Sequence, residues 1–94
     1  MAKTVAEILR QAAQTFEDRH AVYGDNYKDF GPIMAAMFKD GLTLKTAEDW
    51  QQLGIFVQIM NKATRYANTL TKGGHQDSAH DGCVYFAMLE EMTK

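Results

Sequence analysis

The sequence predicts an all-α fold, a compact bundle of four or five helices in a single domain that spans residues 1–94. Apolar residues recur at three- and four-residue spacing in several segments, which places them on one face of a helix. No segment shows the sustained alternation of apolar and polar residues that is typical of strands. Because a chain of this size encloses only one modest core, we also expect it to form a homo-oligomer.

The first predicted helix runs from about Thr4 to His20, and its apolar residues at helical spacing are Val5, Ile8, Leu9, Ala12 and Phe16. Thr4 and Glu7 have the spacing of a capping box, in which each side chain accepts a hydrogen bond from the backbone of the other residue. After a short connection, apolar spacing predicts a second helical segment around residues 27–38. Pro32 interrupts this segment, so we expect a kink there or a new helix that begins at Pro32.

The longest predicted helix begins after Thr46, which starts a second capping signature, and two acidic residues in its first turn suit the positive end of the helix dipole. The pair Gly73-Gly74 is expected to end this helix. A final helix then follows, with Asp77 or Ser78 as its N-terminal cap.

Composition narrows the possible partners and location. The net charge is -2, so we expect no general surface for binding nucleic acid. No apolar run approaches the roughly 20 residues of a membrane span, and the N-terminus lacks a signal-peptide core, which favours a cytoplasmic protein without a membrane partner. Cys83 is the only cysteine and lies in an apolar run, so we expect it to be buried and structural.

The densest group of chemically active side chains lies between residues 62 and 85. Lys62 and Arg65 are one helical turn apart, and two neighbouring cations repel each other unless an anion lies near them. A phosphate would satisfy both cations, because arginine offers a planar fork of donors and lysine a mobile charge. Alternatively, the two cations form salt bridges with Asp77 and Asp81 of the following helix.

Asp77 and Asp81 are four residues apart and face the same way on the last helix. Two carboxylates on one helical face can bind Mg²⁺, which prefers oxygen ligands. The alternative is that Asp77 caps the helix and Asp81 forms a salt bridge. His75 and His80 flank the helix start and are candidates for the same ligand site, with capping or hydrogen bonding as the structural alternative.

A second polar cluster surrounds the first turn and consists of Arg19, His20, Tyr23, Gly24 and Asp25. Tyr23 lies beside a glycine, where its ring can be exposed for stacking on a nucleobase. The ring can equally pack against the core and hold the turn in place. We include Tyr23 among the candidate ligand-binding residues.

Three short motifs carry a resemblance to a known family. They are RHAVYGDNY at residues 19–27, KATR at residues 62–65 and HQDSAHDGCVYFAML at residues 75–89. Together they resemble small phage proteins of the MazG-like type, including nucleotide-modification-associated domains, over about residues 15–90. The resemblance implies an all-α oligomer that splits nucleoside triphosphates into monophosphate and pyrophosphate with Mg²⁺. It also implies that Asp81 is one of the acidic metal ligands.

The long helix departs from the family pattern. Where the family carries a Glu-Glu-x-x-Glu run, this chain has amides and cations, namely Gln51, Gln52, Gln58, Asn61, Lys62 and Arg65. The change removes carboxylates that attract Mg²⁺ and adds positive contacts for phosphate.

We therefore hypothesise that the protein binds a phosphorylated nucleotide or similar small molecule. It would serve as a phage accessory protein in the host cytoplasm that sequesters a nucleotide signal or assists nucleotide metabolism. Two alternatives remain open. One is a Mg²⁺-dependent nucleoside triphosphate pyrophosphatase, and the other is a protein-interaction module whose polar residues form a structural network.

Overall fold

The computed structural model describes residues 2–94, and within this range the chain is helical without strands, which confirms the all-α prediction. The four α-helices of this part of the chain are α1 (Val5–Tyr23), α2 (Phe30–Met37), α3 (Ala47–Thr69) and α4 (Gln76–Met92). Short 3-10 turns, Asn26–Lys28 and Leu70–Lys72, precede α2 and follow α3.

Capping boxes start α1 and α3, as the sequence predicts. At α1, Thr4 Oγ1 accepts the backbone N–H of Glu7 at 3.1 Å, and the Glu7 carboxylate accepts the N–H of Thr4. At α3, Thr46 Oγ1 accepts the N–H of Asp49, while Asp49 Oδ2 accepts the N–H groups of Lys45 and Thr46. These backbone donors, that of Lys45 above all, lower the pKa of Asp49 below its usual value of 3.8.

The segment around Pro32 differs from the prediction. Helix α2 begins at Phe30, two residues before Pro32, and residues 26–28 form a 3-10 turn. Pro32 thus lies in the first turn of α2, where a missing N–H group removes no hydrogen bond within the helix. The expectation that a helix begins at Pro32 is therefore wrong by two residues.

Helices α3 and α4 form an antiparallel hairpin, which is the most extensively packed part of the chain. Its open end is joined by an ion pair between Lys94 and Glu48, at 3.1 Å. At the closed end, the N–H of Gly74 donates to the carbonyl of Thr69. Gly74 has a φ of 79°, and a Cβ atom there would lie 2.8 Å from the Tyr66 hydroxyl, so only glycine fits this turn.

The hairpin also holds the most buried side chains of residues 2–94, which are Ile59, Thr69 and Ser78. Cys83 is exposed, so the prediction that it is buried is wrong for the single chain. Its position in an apolar run was misleading, because Cys83 lines an open groove between α3 and α4.

The single chain is more extended than the compact bundle that the sequence predicts. Its radius of gyration is 16.7 Å, compared with about 12 Å expected for a compact domain of this length. In keeping with this extended shape, every residue of α1 from Val5 to Val22 is exposed. Within residues 2–94, no helix combines the length and apolar character required to cross a membrane.

Candidate functional site

The end of α1 is fixed against the second half of α3. The side-chain amide of Asn68 donates to the carbonyl of Tyr23 at 2.8 Å. Gly24 follows with a φ of 61° and donates its N–H to the carbonyl of His20, so the chain turns sharply at this point. These bonds hold the Tyr23 side chain between α3 and the start of α4.

Three of the predicted site residues meet at this point. The Arg65 guanidinium lies over the Tyr23 ring, 5.2 Å from its centroid. On another side, the Tyr23 hydroxyl lies 3.3 Å from His75 Nε2, and the two rings meet edge to face. Tyr23 therefore links the end of α1 to both helices of the hairpin.

His75 is the N-terminal cap of α4, so the prediction that Asp77 or Ser78 fills this role is wrong. Its Nδ1 accepts the backbone N–H of Ser78 at 3.2 Å and lies 2.6 Å from the Ser78 hydroxyl. Because Nδ1 accepts, the neutral ring carries its proton on Nε2, which can donate to the Tyr23 hydroxyl. Both ring nitrogens of His75 are thus used within the fold.

Lys62 forms a salt bridge with Asp81, with the two charged groups 3.6 Å apart. The Lys62 side chain is only 17% exposed and contacts the apolar groove between α3 and α4. Arg65, by contrast, lines a cleft on the α1 side of α3. The two cations that the sequence assigns to a shared phosphate therefore face different surroundings and have different partners.

Asp77 and His80 are exposed on α4. Among residues 2–94, no group of three or more histidine, cysteine, aspartate or glutamate side chains has the geometry to hold a metal ion. The Mg²⁺ site at Asp77 and Asp81 stays a prediction that rests on their helical spacing.

We use the name turn cleft for a depression of about 500 Å³ between the second half of α1, the following 3-10 turn and α3. Its lining combines aromatic rings with cations and polar groups, chiefly Phe16, Arg19, His20, Tyr23, Tyr27 and Arg65. Phe16 stacks on His20 at 5.6 Å and meets Tyr27 edge to face at 5.9 Å. The cleft therefore combines these aromatic rings with the guanidinium groups of Arg19 and Arg65.

Asp25 lies in the sequence between Gly24 and Asn26, which line this cleft, and two neighbours already bind it. His20 Nε2 lies 2.9 Å from Asp25 Oδ1, and Lys28 Nζ lies 3.4 Å from Oδ2. The hydrogen bond from His20 lowers the pKa of Asp25, and Lys28 lowers it further. Asp25 is therefore ionised at neutral pH, and its charge is balanced locally rather than directed at Arg19 or Arg65.

The sequence predictions placed Phe16 and Tyr27 on the apolar faces of their helices, so both were missed as cleft residues. Helical spacing could have identified Phe16 as a cleft residue. Phe16, Arg19 and Tyr23 follow one another at three and four residues and therefore share one face of α1. Asn68 was also missed, because nothing in its local sequence distinguishes it from a solvent-exposed amide.

Comparison with known proteins gives no relative. No family model, curated protein or solved structure matches this chain. The resemblance to MazG-like proteins therefore stays a prediction that rests on the three short motifs.

Proposed function

We propose that this protein binds a phosphorylated nucleotide in the turn cleft. One observation carries the proposal: two arginines, Arg19 and Arg65, line the same cleft as the rings of Phe16, Tyr23 and Tyr27. Guanidinium groups bind phosphate oxygens through paired N–H donors, and aromatic rings stack on bases. The cleft volume of about 500 Å³ also falls within the range of small-molecule sites, about 300–1,000 Å³.

The proposed phosphate contacts differ from those inferred from sequence. Arg65 is retained, but Arg19 replaces Lys62, whose charge is offset by Asp81. The Arg65 guanidinium packs over the Tyr23 ring, which holds it at the cleft. The motif at residues 19–27, which carries part of the resemblance to nucleotide-handling proteins, contributes much of this lining.

Binding is better supported than hydrolysis. A pyrophosphatase of the type implied by the resemblance needs several carboxylates free to hold Mg²⁺. Here the Lys62 ammonium lies beside Asp81 and opposes the approach of a second cation. The oligomer and the MazG-like arrangement that the resemblance implies stay predictions.

Calorimetric titration with adenosine mono- and triphosphate, thymidine triphosphate and cyclic dinucleotides tests the proposal. We expect at least one of these to bind, and we expect Arg65→Ala and Arg19→Ala each to weaken binding about 10- to 100-fold. This range follows because hydrogen bonds to a charged group contribute about 1.5–3 kcal/mol. Arg65→Lys should also weaken binding, since it keeps the charge but loses the planar fork of donors.

Two control variants locate the site. Arg10→Ala removes the same charge from α1 at a position outside the cleft, so its affinity should equal that of the wild type. Lys62→Ala should have little effect if the phosphate lies in the turn cleft. Loss of affinity in Lys62→Ala with normal affinity in Arg19→Ala would place the ligand on the α3–α4 side instead. Absence of binding to every nucleotide tested would refute the proposal.

A further inference from the structure

Helix α1 exposes a continuous apolar face to solvent. Val5, Ile8, Leu9, Ala12 and Phe16 recur at helical spacing and share one side of the helix. Leu9 is 63% exposed and Phe16 is 52% exposed. This face is therefore uncovered in the single chain, apart from the region near Tyr23 where α1 meets α3.

An uncovered helix of this kind needs a packing partner. Helices in proteins gain most of their stability from packing of an apolar face rather than from helix propensity, and only the end of the 19-residue helix α1 is fixed against α3. The capping box of Thr4 and Glu7 adds only about 1 kcal/mol. Capping alone is a weak source of stability for the first turns of α1, so a covering surface is required.

The surface area of the chain shows how large that covering surface can be. The chain exposes 7376 Å², whereas a compact protein of its mass exposes about 5,500 Å². The excess is about 1,900 Å², and a standard stable interface buries about 800 Å² per partner. A stable dimer thus requires less than half of the surplus.

We propose that a second copy of this chain covers the apolar face of α1, with the two α1 helices antiparallel. The charged residues from Lys3 to Arg19 include three cations and three anions, so pairing two copies brings no net charge together. The first half has an excess cation (Lys3, Glu7, Arg10), and the second half an excess anion (Glu17, Asp18, Arg19). In an antiparallel pair, the cationic half of each α1 helix faces the anionic half of the other. The two helix dipoles then point in opposite directions, which is favourable.

Ala12 and Phe16 of this face also line the turn cleft, so pairing and nucleotide binding would share these two residues. Mass is therefore measured without nucleotide, which tests the pairing separately from the proposed function. Sedimentation equilibrium should give the wild type at least twice the chain mass of 10.6 kDa. Leu9→Glu should give a single chain of 10.6 kDa, because the pair would otherwise bury two unpaired carboxylates. Glutamate is a good helix former and Leu9 is exposed, so the variant chain should retain its helical circular dichroism.

Gln14→Glu is the matched control, because it adds the same charge to the opposite face of α1. It should associate like the wild type. A wild type that stays monomeric at millimolar concentration would overturn the proposal, since the face would then have to serve a different protein. So would a Leu9→Glu variant that dimerises as the wild type does.

Crosslinking tests the orientation in a Cys83→Ser background, which removes the native thiol. Ala12→Cys lies near the middle of the apolar face, so antiparallel pairing should bring two copies of it together for a short bismaleimide. Val5→Cys lies near one end, and its copies should be about 20 Å apart and not crosslink. Efficient crosslinking of Val5→Cys, or failure of Ala12→Cys in a dimeric sample, would rule out the antiparallel arrangement.

Discussion

His75 is the residue with the most structural connections in the candidate site. It caps α4 through the backbone N–H of Ser78, lies 2.6 Å from the Ser78 hydroxyl and contacts the Tyr23 hydroxyl. Ser78 is only 3% exposed, so water cannot readily replace these bonds. The imidazole therefore connects the end of α1 to the hairpin, and both of its nitrogens already have partners within the chain.

His75→Ala should lower the free energy of unfolding by about 1–3 kcal/mol, because it removes a helix cap and leaves buried polar groups of Ser78 unpaired. Urea denaturation at fixed protein concentration measures this change. His75→Asn should retain most of the stability, since an asparagine oxygen can accept the same N–H group. Equal stability of His75→Ala and the wild type would show that the cap contributes nothing.

His75, Tyr23 and Arg65 could be predicted from sequence as site residues, but their contacts could not. Aspartate and serine are preferred at N-terminal caps, and both occur just after His75. The choice of His75 depends on its extended backbone, with φ -138° and ψ 101°, which aims its ring at the first turn of α4. Likewise, the division of Lys62 and Arg65 between two surfaces depends on where α1 and α4 pack, which is not a local property.

Among the helices, α3 has an N-terminal cap whose strength depends on the ionisation of Asp49. Asp49 accepts hydrogen bonds from two backbone N–H groups, and these lower its pKa. Because the pKa in the folded state lies below that in the unfolded state, ionised Asp49 stabilises the fold at every pH above about 4. This stabilisation is lost as the pH falls below 3.8 and through the folded-state pKa.

Asp49→Asn should therefore lower the melting temperature at pH 5–7, and the difference from wild type should shrink as the pH falls toward 3. Thermal melts followed by circular dichroism across this range measure the change. Glu48→Gln is a suitable control, because Glu48 lies in the same turn but pairs with the exposed Lys94. A difference between Asp49→Asn and wild type that does not vary with pH would contradict this origin of the stabilisation.

The elements themselves were predicted well where local chemistry determines them. Both capping boxes are properties of a few neighbouring residues, so they can be inferred from sequence. The glycine pair lies further along the chain than predicted, because α3 ends at Thr69 and Gly73 instead ends the 3-10 turn Leu70–Lys72. The start of α2 was predicted wrongly. Proline is tolerated throughout the first turn of a helix, so Pro32 does not show which residue begins α2. Helical spacing also identified the apolar face of α1 but could not show that α3 covers only its end.

On the scale of the whole molecule, one chain does not supply a complete core. Apolar side chains remain exposed on α1, at Trp50 and on α4 at Phe86, and the radius of gyration exceeds that of a compact domain. The compact bundle predicted from sequence assumed that these residues pack within one chain. Amphipathic spacing gives the same pattern whether the covering surface belongs to the same chain or to another, so sequence alone could not distinguish the two.

If folding and association are coupled, the stability of this protein depends on its concentration. A tenfold increase in concentration favours a folded dimer over unfolded chains by about 1.4 kcal/mol, which should raise the melting temperature by about 3–5 °C. Melts of the wild type between 1 and 100 µM measure this shift. Leu9→Glu should melt at one temperature throughout, because a single chain unfolds without dissociation. A wild-type melting temperature that is constant over this range would show that the chain folds alone, with the apolar face of α1 exposed to water.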